Sequence, residues 1–230
     1  MNAFFHNLIQ TLFPSTCACC GDVLMAGENQ ICINCLSNLT ATLYTAHDDN
    51  RTERLLTGRI PLHKATSIFV FRQGNTVQQV IHSMKFHGNS DLCIFMGRQM
   101  GLELLQSGRF DDIDLLVPVP LHWRRRLQRG YNQSELLCRG ISQIMNRPIN
   151  TRTLVRHRYT HEQSLQAAAD REENVKDAFR LHHPDELTGK HILLVDDVLT
   201  TGATLVSCCE VLSRVNNLKI SIATLSVAGQ

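Results

Sequence analysis

The sequence predicts an α/β domain built on a mainly parallel sheet with helices on both faces, preceded by a small four-cysteine module. Two observations carry this prediction. From residue 66 onward, strand-like and helix-like segments alternate, which is typical of parallel strands joined by crossover helices. Ahead of them, five of the nine cysteines fall within the first 35 residues. This crowding indicates a metal site rather than a disulfide framework.

The periodicity of apolar residues predicts the individual elements. An amphipathic pattern predicts a short helix over residues 3–12, and the polar stretch from Thr45 to Gly58 is interpreted as a linker. The later segments are predicted, in order, as a strand (66–71), two helices (77–85 and 92–106), a strand (114–119), an arginine-rich loop (121–132), a helix (134–145), a short strand (151–155), a strand (191–196), a helix (201–214) and a closing strand (219–227).

The composition excludes several classes of protein. With 43% hydrophobic and 19% charged residues, the chain has the balance of a soluble globular protein. No apolar run reaches the roughly 18 residues that a membrane span needs. The N-terminus lacks basic residues ahead of its apolar part, unlike a secretory signal. We therefore expect no membrane span and a cytoplasmic location.

The N-terminal cysteines form two C-x2-C pairs, Cys17 with Cys20 and Cys32 with Cys35. Such pairs let four thiolates reach one tetrahedral zinc ion, and because four thiolates close the coordination shell, the Zn2+ would be structural. Cys19 is a spare thiol that could replace a neighbour, and the alternative is a set of reduced buried thiols. On this basis the chain divides into an N-terminal helix and zinc ribbon (1–45), a linker (46–65) and the α/β domain (66–230).

The segment from Ile192 to Thr204 predicts a ribose 5-phosphate site. An apolar strand ends at two adjacent aspartates, Asp196 and Asp197, whose carboxylates can accept hydrogen bonds from sugar hydroxyls. The turn that follows opens a helix, whose first amides can bind a phosphate. Gly202 lets the backbone approach the anion. Further donors come from the hydroxyls of Thr200, Thr201 and Thr204. The alternative, a simple helix cap, explains one threonine but not the whole set.

Positive charge is concentrated between residues 118 and 162, where nine arginines stand against two glutamates. A focused basic patch suits phosphate-rich ligands or nucleic acid, although a solvated arginine-rich surface is the alternative. Trp123 lies among these arginines, so the segment could stack bases and pair phosphates of single-stranded nucleic acid. We expect His122, His157 and His161 to be surface residues. The candidate loop residues are Arg124, Arg125, Arg126, Arg129, Tyr131 and Asn132.

These motifs resemble those of a known family. The segment Ile192 to Thr204 is similar to the motif of type I phosphoribosyltransferases that binds 5-phosphoribosyl 1-pyrophosphate (PRPP). With the cysteine module ahead of it, nearly the whole chain resembles the ComF (ComFC) competence family. Further matches, in the family's order, are Lys85-Phe-His-Gly88, Arg126-x2-Arg129-Gly-Tyr-Asn-Gln133, Thr160-x2-Gln163, Arg171-x2-Asn174 and Ala178-Phe179.

The resemblance implies roles for several residues. Asp196 and Asp197 would be the catalytic residues that hold the ribose hydroxyls, Lys85 would contact a pyrophosphate oxygen, and the arginine loop would close over the site as a flexible lid. The 5-phosphate would be bound by Thr200, Thr201, Gly202, Ala203 and Thr204. Mg2+ is implied as a bridge between pyrophosphate and ribose oxygens.

The resemblance also implies a function. The chain would bind PRPP or another ribose 5-phosphate compound and transfer phosphoribose to an acceptor, in a protein concerned with DNA uptake. Its partners would include single-stranded DNA and other competence proteins. The alternative is a non-catalytic protein that senses PRPP or binds single-stranded DNA. The sequence identifies no acceptor, because no residue stands out as an acceptor-specific base.

Overall fold

A four-stranded parallel sheet forms the centre of the computed structural model, which describes residues 14–86, 88–157 and 178–229. Its order is β1-β6-β5-β2, and every neighbouring pair is parallel. The remaining two strands, β3 and β4, form a separate antiparallel pair. The strands are β1 (Lys64–Phe71), β2 (Leu115–Pro118), β3 (Leu154–Arg156), β4 (Phe179–Leu181), β5 (His191–Leu199) and β6 (Lys219–Ala228).

Seven α-helices lie within the described residues. Most predicted helix ends are correct to within two residues, because side-chain caps set them: Asn89 caps the fourth helix and Asn132 the sixth. The helices are α1 (Ile33–Ser37), α2 (Arg51–Leu56), α3 (Thr76–Phe86), α4 (Ser90–Ser107), α5 (Trp123–Arg129), α6 (Gln133–Met145) and α7 (Ala203–Leu212). Short 3-10 turns occur at Tyr44–Ala46 and Pro184–Leu187.

Both faces of the sheet are covered, which confirms the predicted α/β architecture. Successive side chains of a strand point to opposite faces, and β5 is apolar on both. Leu193 and Val195 pack in one core with α3, α4 and α6, whereas Ile192 and Leu194 pack in a second core with α7. The sheet is therefore central, and its ends are the parts open to a ligand.

The cysteine module shares the first of these cores. Cys17, Ile31 and Leu39 are buried in the same cluster as β1 and α3. The chain beyond them runs along β1, where the Thr42 amide donates to the Ile68 carbonyl at 2.9 Å. The module is thus packed on the sheet rather than tethered beside it.

The stretch predicted as a linker is folded against the sheet. It contains α2, which Asn50 caps, and Leu56 of that helix is completely buried. The Thr52 hydroxyl donates to Ser67 Oγ on β1 at 2.8 Å. The polar composition concealed these contacts, because only one face of this short helix is buried. The boundary between the cysteine module and the α/β domain stays a prediction.

The arginine-rich segment was also predicted wrongly as a loop, since residues 123–129 form α5. His122 caps it by accepting a hydrogen bond from the Arg124 amide at Nδ1, 3.2 Å away, and Gly130 ends it with a φ of 81°. His122 is buried, contrary to its expected surface position. The predicted helix over 3–12, His87, His161 and the motifs within 158–177 lie outside the described residues.

No helix among the described segments is both long enough and apolar enough to cross a membrane.

Helices α4 and α6 approach so closely that glycine is required where they touch. A Cβ atom on Gly97 would lie 2.3 Å from the Leu137 carbonyl oxygen, and one on Gly140 would lie 2.3 Å from that of Ile94. Each contact is with backbone, which cannot rotate away. These two glycines therefore fix the distance between the helices that cover one face of the sheet.

We expect Gly140→Ala to destabilise the protein, although alanine is ordinarily the better helix former by about 1 kcal/mol. Forcing the helices apart should lower the free energy of unfolding by about 1–3 kcal/mol. Urea denaturation measures this, with Glu103→Ala on the exposed face of α4 as the control. A stabilised Gly140→Ala variant would show that the helices do not pack this closely.

Candidate functional site

The four predicted cysteines come together as one cluster. The Sγ atoms of Cys17, Cys20, Cys32 and Cys35 all lie within 4.8 Å of one another. Cys20 Sγ and Cys32 Sγ are 3.7 Å apart, close to the spacing of about 3.8 Å that a tetrahedral zinc with bonds of about 2.3 Å imposes on its sulfurs. Cys19 is half-buried beside the cluster and is not one of the four.

Backbone amides point at these sulfurs, as they do in sites that hold thiolates. Cys17 Sγ accepts from the amides of Cys32 at 3.3 Å and Cys19 at 3.4 Å. Burial opposes ionisation of Cys17, but the amides of Cys20, Cys32 and Cys19 outweigh it and lower the pKa of this thiol to about 6. Cys32 Sγ accepts from the Cys35 amide in the same way. The proximity of the four sulfurs is what allows the cluster to hold a metal ion.

The aspartate pair lies at the carboxyl end of β5, the edge at which open parallel sheets bind ligands. Asp196 Oδ1 accepts hydrogen bonds from Ser134 Oγ at 3.1 Å and from the Asp197 amide at 2.9 Å. Asp197 Oδ2 is 3.0 Å from Lys85 Nζ, and both of these side chains are mostly buried. Residues from β5, α6 and α3 thus meet at one point.

The two neighbouring carboxylates of this site repel each other when both are ionised. Enclosure by the protein, followed by the charge of Asp197, raises the pKa of Asp196 to about 7, while Lys85 and Ser134 act in the opposite direction. Two carboxylates this close repel each other, so one of them keeps its proton more readily. A ligand that donates hydrogen bonds to both carboxylates would favour the ionised pair.

The threonine-rich turn follows directly. β5 ends at Leu199, and Gly202, with a φ of 80°, leads into α7. Thr200 is exposed, whereas Thr201 and Thr204 are half-buried. Since the first amides of a helix lack partners within the helix, the turn offers amide and hydroxyl donors together. This is an arrangement suited to a phosphate group.

A residue that sequence analysis missed supports the turn. Arg59, just beyond α2, donates through Nη1 to the Thr201 carbonyl at 2.5 Å. Leu56 packs behind Gly202, where an added Cβ would lie 3.0 Å from its Cδ2. Arg59 lies in the stretch that was interpreted as a linker, and it belongs to no recognised motif. Ser134 was missed as well, although its place at the start of a helix after the Tyr-Asn-Gln motif was a usable signal.

The end of α5 lies beside the end of α3. Tyr131 donates its hydroxyl hydrogen to the Met84 carbonyl at 2.8 Å, and Arg129 stacks over the Phe86 ring at 5.5 Å. Both contacts join the end of α5 to the end of α3, which carries Lys85. Burial raises the pKa of Tyr131.

The predicted loop residues have different surroundings. Asn132 is buried and donates to the Val119 carbonyl at 3.0 Å, so it anchors α6. Arg126 lies 3.5 Å from the Glu135 carboxylate. Arg124 is exposed, Arg125 half-buried, and the Arg124 guanidinium lies 5.3 Å from the Trp123 ring. Trp123 itself is 58% exposed.

Asp196→Asn should remove a pH dependence of stability. An acid whose pKa is higher in the folded state binds more protons when folded, so wild-type stability falls as pH rises from about 4 to about 7. Above pH 7 we expect Asp196→Asn to be more stable than wild type by about 1–3 kcal/mol.

Urea denaturation across this pH range measures the effect, with Asp185→Asn at an exposed position as the control. Parallel stability curves for wild type and Asp196→Asn would contradict a raised pKa at Asp196.

Part of this site lies in a region that matches a known family. Residues 134–229 match the family model described as Phosphoribosyl transferase domain. The match contains Ser134, both aspartates and the threonine-rich turn, whereas Lys85 and α5 lie outside it.

Several proteins are similar to parts of the chain. DNA utilization protein YhgH of Escherichia coli (strain K12) is 37% identical over 138 residues, which cover 59% of this chain and 60% of that protein. The chain thus spans about three fifths of the length of these relatives. Competence protein F of Haemophilus influenzae is 25% identical over 229 residues, covering 96% of this chain and 100% of that protein. Competence protein ComFC of Bacillus subtilis is 30% identical over 140 residues, covering 59% and 53%.

Two solved structures show weaker likeness. A hypothetical protein from Neisseria gonorrhoeae with bound ppGpp has a TM-score of 0.37 and 14% identity, over 61% of this chain and 69% of that one. A hypoxanthine phosphoribosyl transferase from Trypanosoma cruzi has a TM-score of 0.37 and 13% identity, over 60% and 74%.

The family match and the names of these relatives confirm the resemblance drawn from the motifs. Residues 134–229 are similar to a phosphoribosyl transferase domain, and the chain is similar to competence protein F, ComFC and the DNA utilization protein YhgH.

Proposed function

We propose that this chain binds PRPP with Mg2+ at the carboxyl end of β5 and transfers its phosphoribosyl group to an acceptor, in a cytoplasmic protein that takes part in DNA uptake or DNA utilization. The observation that carries the proposal is the meeting of Asp196, Asp197 and Lys85 beside the turn from Thr200 to Thr204. A PRPP molecule needs partners for a phosphate, two ribose hydroxyls and a pyrophosphate, and these residues supply each kind. The DNA role rests on the names of the relatives.

Each group would have a distinct task. The turn and the first amides of α7 would bind the 5-phosphate. The two carboxylates would accept hydrogen bonds from the ribose hydroxyls and favour the positive charge that develops at the anomeric carbon. Lys85, now 3.0 Å from Asp197, would turn to a pyrophosphate oxygen when a ligand enters.

Mg2+ would neutralise the charge of the departing pyrophosphate, and oxygen ligands of the kind gathered here suit it. The acceptor stays unidentified, so the transfer step is tested by release of pyrophosphate when candidate acceptors are supplied.

Zn2+ is the metal that we propose for the cysteine cluster, in a structural role. Cys17, Cys20, Cys32 and Cys35 would hold it and leave no open coordination position. Because Cys17 and Cys32 are buried in the core that includes β1 and α3, the metal would stabilise one side of the sheet.

A specific observation favours a second candidate function, the binding of single-stranded nucleic acid. Trp123, Leu127 and Phe86 are large apolar side chains that are mostly exposed, and arginines lie over two of their rings. Exposed aromatic rings interleaved with arginine suit stacked bases and their phosphates. Since this surface adjoins Lys85, a DNA strand could be the acceptor itself, and the two functions are compatible.

Asp197→Asn should weaken PRPP binding about 10- to 100-fold, the effect of losing a hydrogen bond to a charged group. The fold should survive, because the charge of Lys85 also acts on Asp196. Calorimetric titration of PRPP with Mg2+ into wild type and variant measures the affinity, and Asp185→Asn is the control. Equal affinity in wild type and Asp197→Asn would exclude this carboxylate from the site.

Trp123→Ala should reduce affinity for single-stranded DNA by about 1–3 kcal/mol if a base stacks on its ring. Arg124→Ala should make the affinity fall less steeply as the salt concentration rises, because one phosphate contact is lost. Fluorescence anisotropy with a labelled oligonucleotide measures both, and Met25→Ala replaces an exposed apolar side chain on the cysteine module as a control. If Trp123→Ala and Met25→Ala bind DNA like wild type, α5 is not a nucleic-acid surface.

A further inference from the structure

Two histidines and an aspartate meet at the amino end of the sheet, the edge opposite Asp196 and Asp197. His63 directly precedes β1, Asp112 lies between α4 and β2, and His191 is the first residue of β5. One ligand atom from each lies within 4.8 Å of the others. Along β5, Asp196 lies five positions after His191, a distance of about 16 Å for an extended strand. The cluster is therefore distinct from the PRPP site.

His191 is held in an orientation suited to a metal ligand. Its side chain is only 5% exposed. Its Nε2 lies 2.8 Å from Ser221 Oγ on β6, while its buried Nδ1 makes no well-aligned hydrogen bond. Asp112 Oδ2 is 3.1 Å from that nitrogen but outside hydrogen-bonding geometry. A buried imidazole nitrogen without a hydrogen bond is costly, whereas a histidine that binds a metal uses its other nitrogen for such a contact.

The two carboxylate oxygens of Asp112 have different partners. Its Oδ1 pairs with Lys64 Nζ at 3.2 Å, and this ammonium also donates to the Arg109 carbonyl at 2.6 Å. Its Oδ2 faces both histidines, 3.1 Å from His191 Nδ1 and 3.8 Å from His63 Nε2. Lys64 thus holds the carboxylate and leaves one oxygen for a monodentate bond.

The distances fit a small divalent cation. Ligand atoms at about 2.0–2.1 Å from a tetrahedral zinc lie about 3.3–3.4 Å apart, between the two separations that Asp112 Oδ2 makes. His63 is exposed and its ring meets that of His191 edge-on, with centroids 4.9 Å apart, so it is the ligand best able to adjust. Two imidazoles and one carboxylate suit zinc and neighbouring transition metals rather than Mg2+ or Ca2+.

We propose that His63, Asp112 and His191 form a second metal site, which binds Zn2+ or a similar divalent transition metal with water in the fourth position. Bound there, the ion would join the segments that precede β1 and β2 to the first residue of β5, and it would supply a partner for the buried nitrogen of His191. The site does not depend on PRPP binding or on the cysteine cluster.

The metal content of the full chain tests this proposal. The protein is equilibrated with Zn2+, passed through a desalting column and weighed by native mass spectrometry. His63→Ala should retain one zinc fewer than wild type, whereas His182→Ala, which removes another exposed histidine, should retain as many as wild type. Because the test measures a difference of one zinc ion between variant and wild type, its result does not depend on whether the four cysteines bind zinc.

A second variant guards against an indirect effect of His63→Ala. Ser221→Ala leaves all three ligands in place and should weaken zinc binding at this site about 10- to 100-fold, as loss of an outer-shell partner does. Competition with a chromophoric chelator measures that affinity. Equal zinc content in wild type and His63→Ala, or an equal loss in His63→Ala and His182→Ala, would overturn the proposal.

Discussion

The in-register parallel pairing of β5 between β6 and β2 is the constraint on which both ends of this molecule depend. Val195 pairs with Ala223 on one side and with Pro118 on the other. Because β5 is buried on both faces, shifting its register by one residue would exchange the side chains of the two cores. The same register carries Asp196 and Asp197 to the carboxyl edge and keeps His191 at the amino edge. One strand therefore positions the proposed ligand site and the proposed second metal site.

The elements around the sheet bring partners to those two ends. The α4–α6 pair, in contact through Gly97 and Gly140, sets Ser134 at the start of α6, where its hydroxyl meets Asp196. Helix α3 brings Lys85 to Asp197 from another direction. On the side of the turn, Arg59 reaches the Thr201 carbonyl. The site is thus assembled from segments far apart in the chain, and changes in helix packing would alter its geometry.

The placement of α5 next to this site connects the two proposed activities. Tyr131 and Arg129 join the end of α5 to the end of α3, which carries Lys85, and the exposed Trp123 lies at the start of the same helix. If both proposals hold, nucleic acid and a phosphoribosyl donor would bind near one another. A lid function for these arginines and a DNA-binding function make different demands, because only the second needs the Trp123 ring to be accessible.

Local patterns in the sequence determined most of the regular elements, the cysteine cluster and the turn after β5. Strands that are apolar on both faces, helix caps such as Asn89 and Asn132, and pairs of cysteines two residues apart are signals that neighbouring residues carry by themselves. Only the tertiary structure decided the rest. Helix α2 has too few buried residues to show the apolar periodicity of a helix, so its segment was interpreted as a linker. His122 is buried by elements distant in sequence. The contacts of Arg59 with Thr201, Ser134 with Asp196, and Asp112 with His191 join residues separated by 142, 62 and 79 positions. No local pattern records such pairs, because their proximity arises only when the strands align and the helices pack.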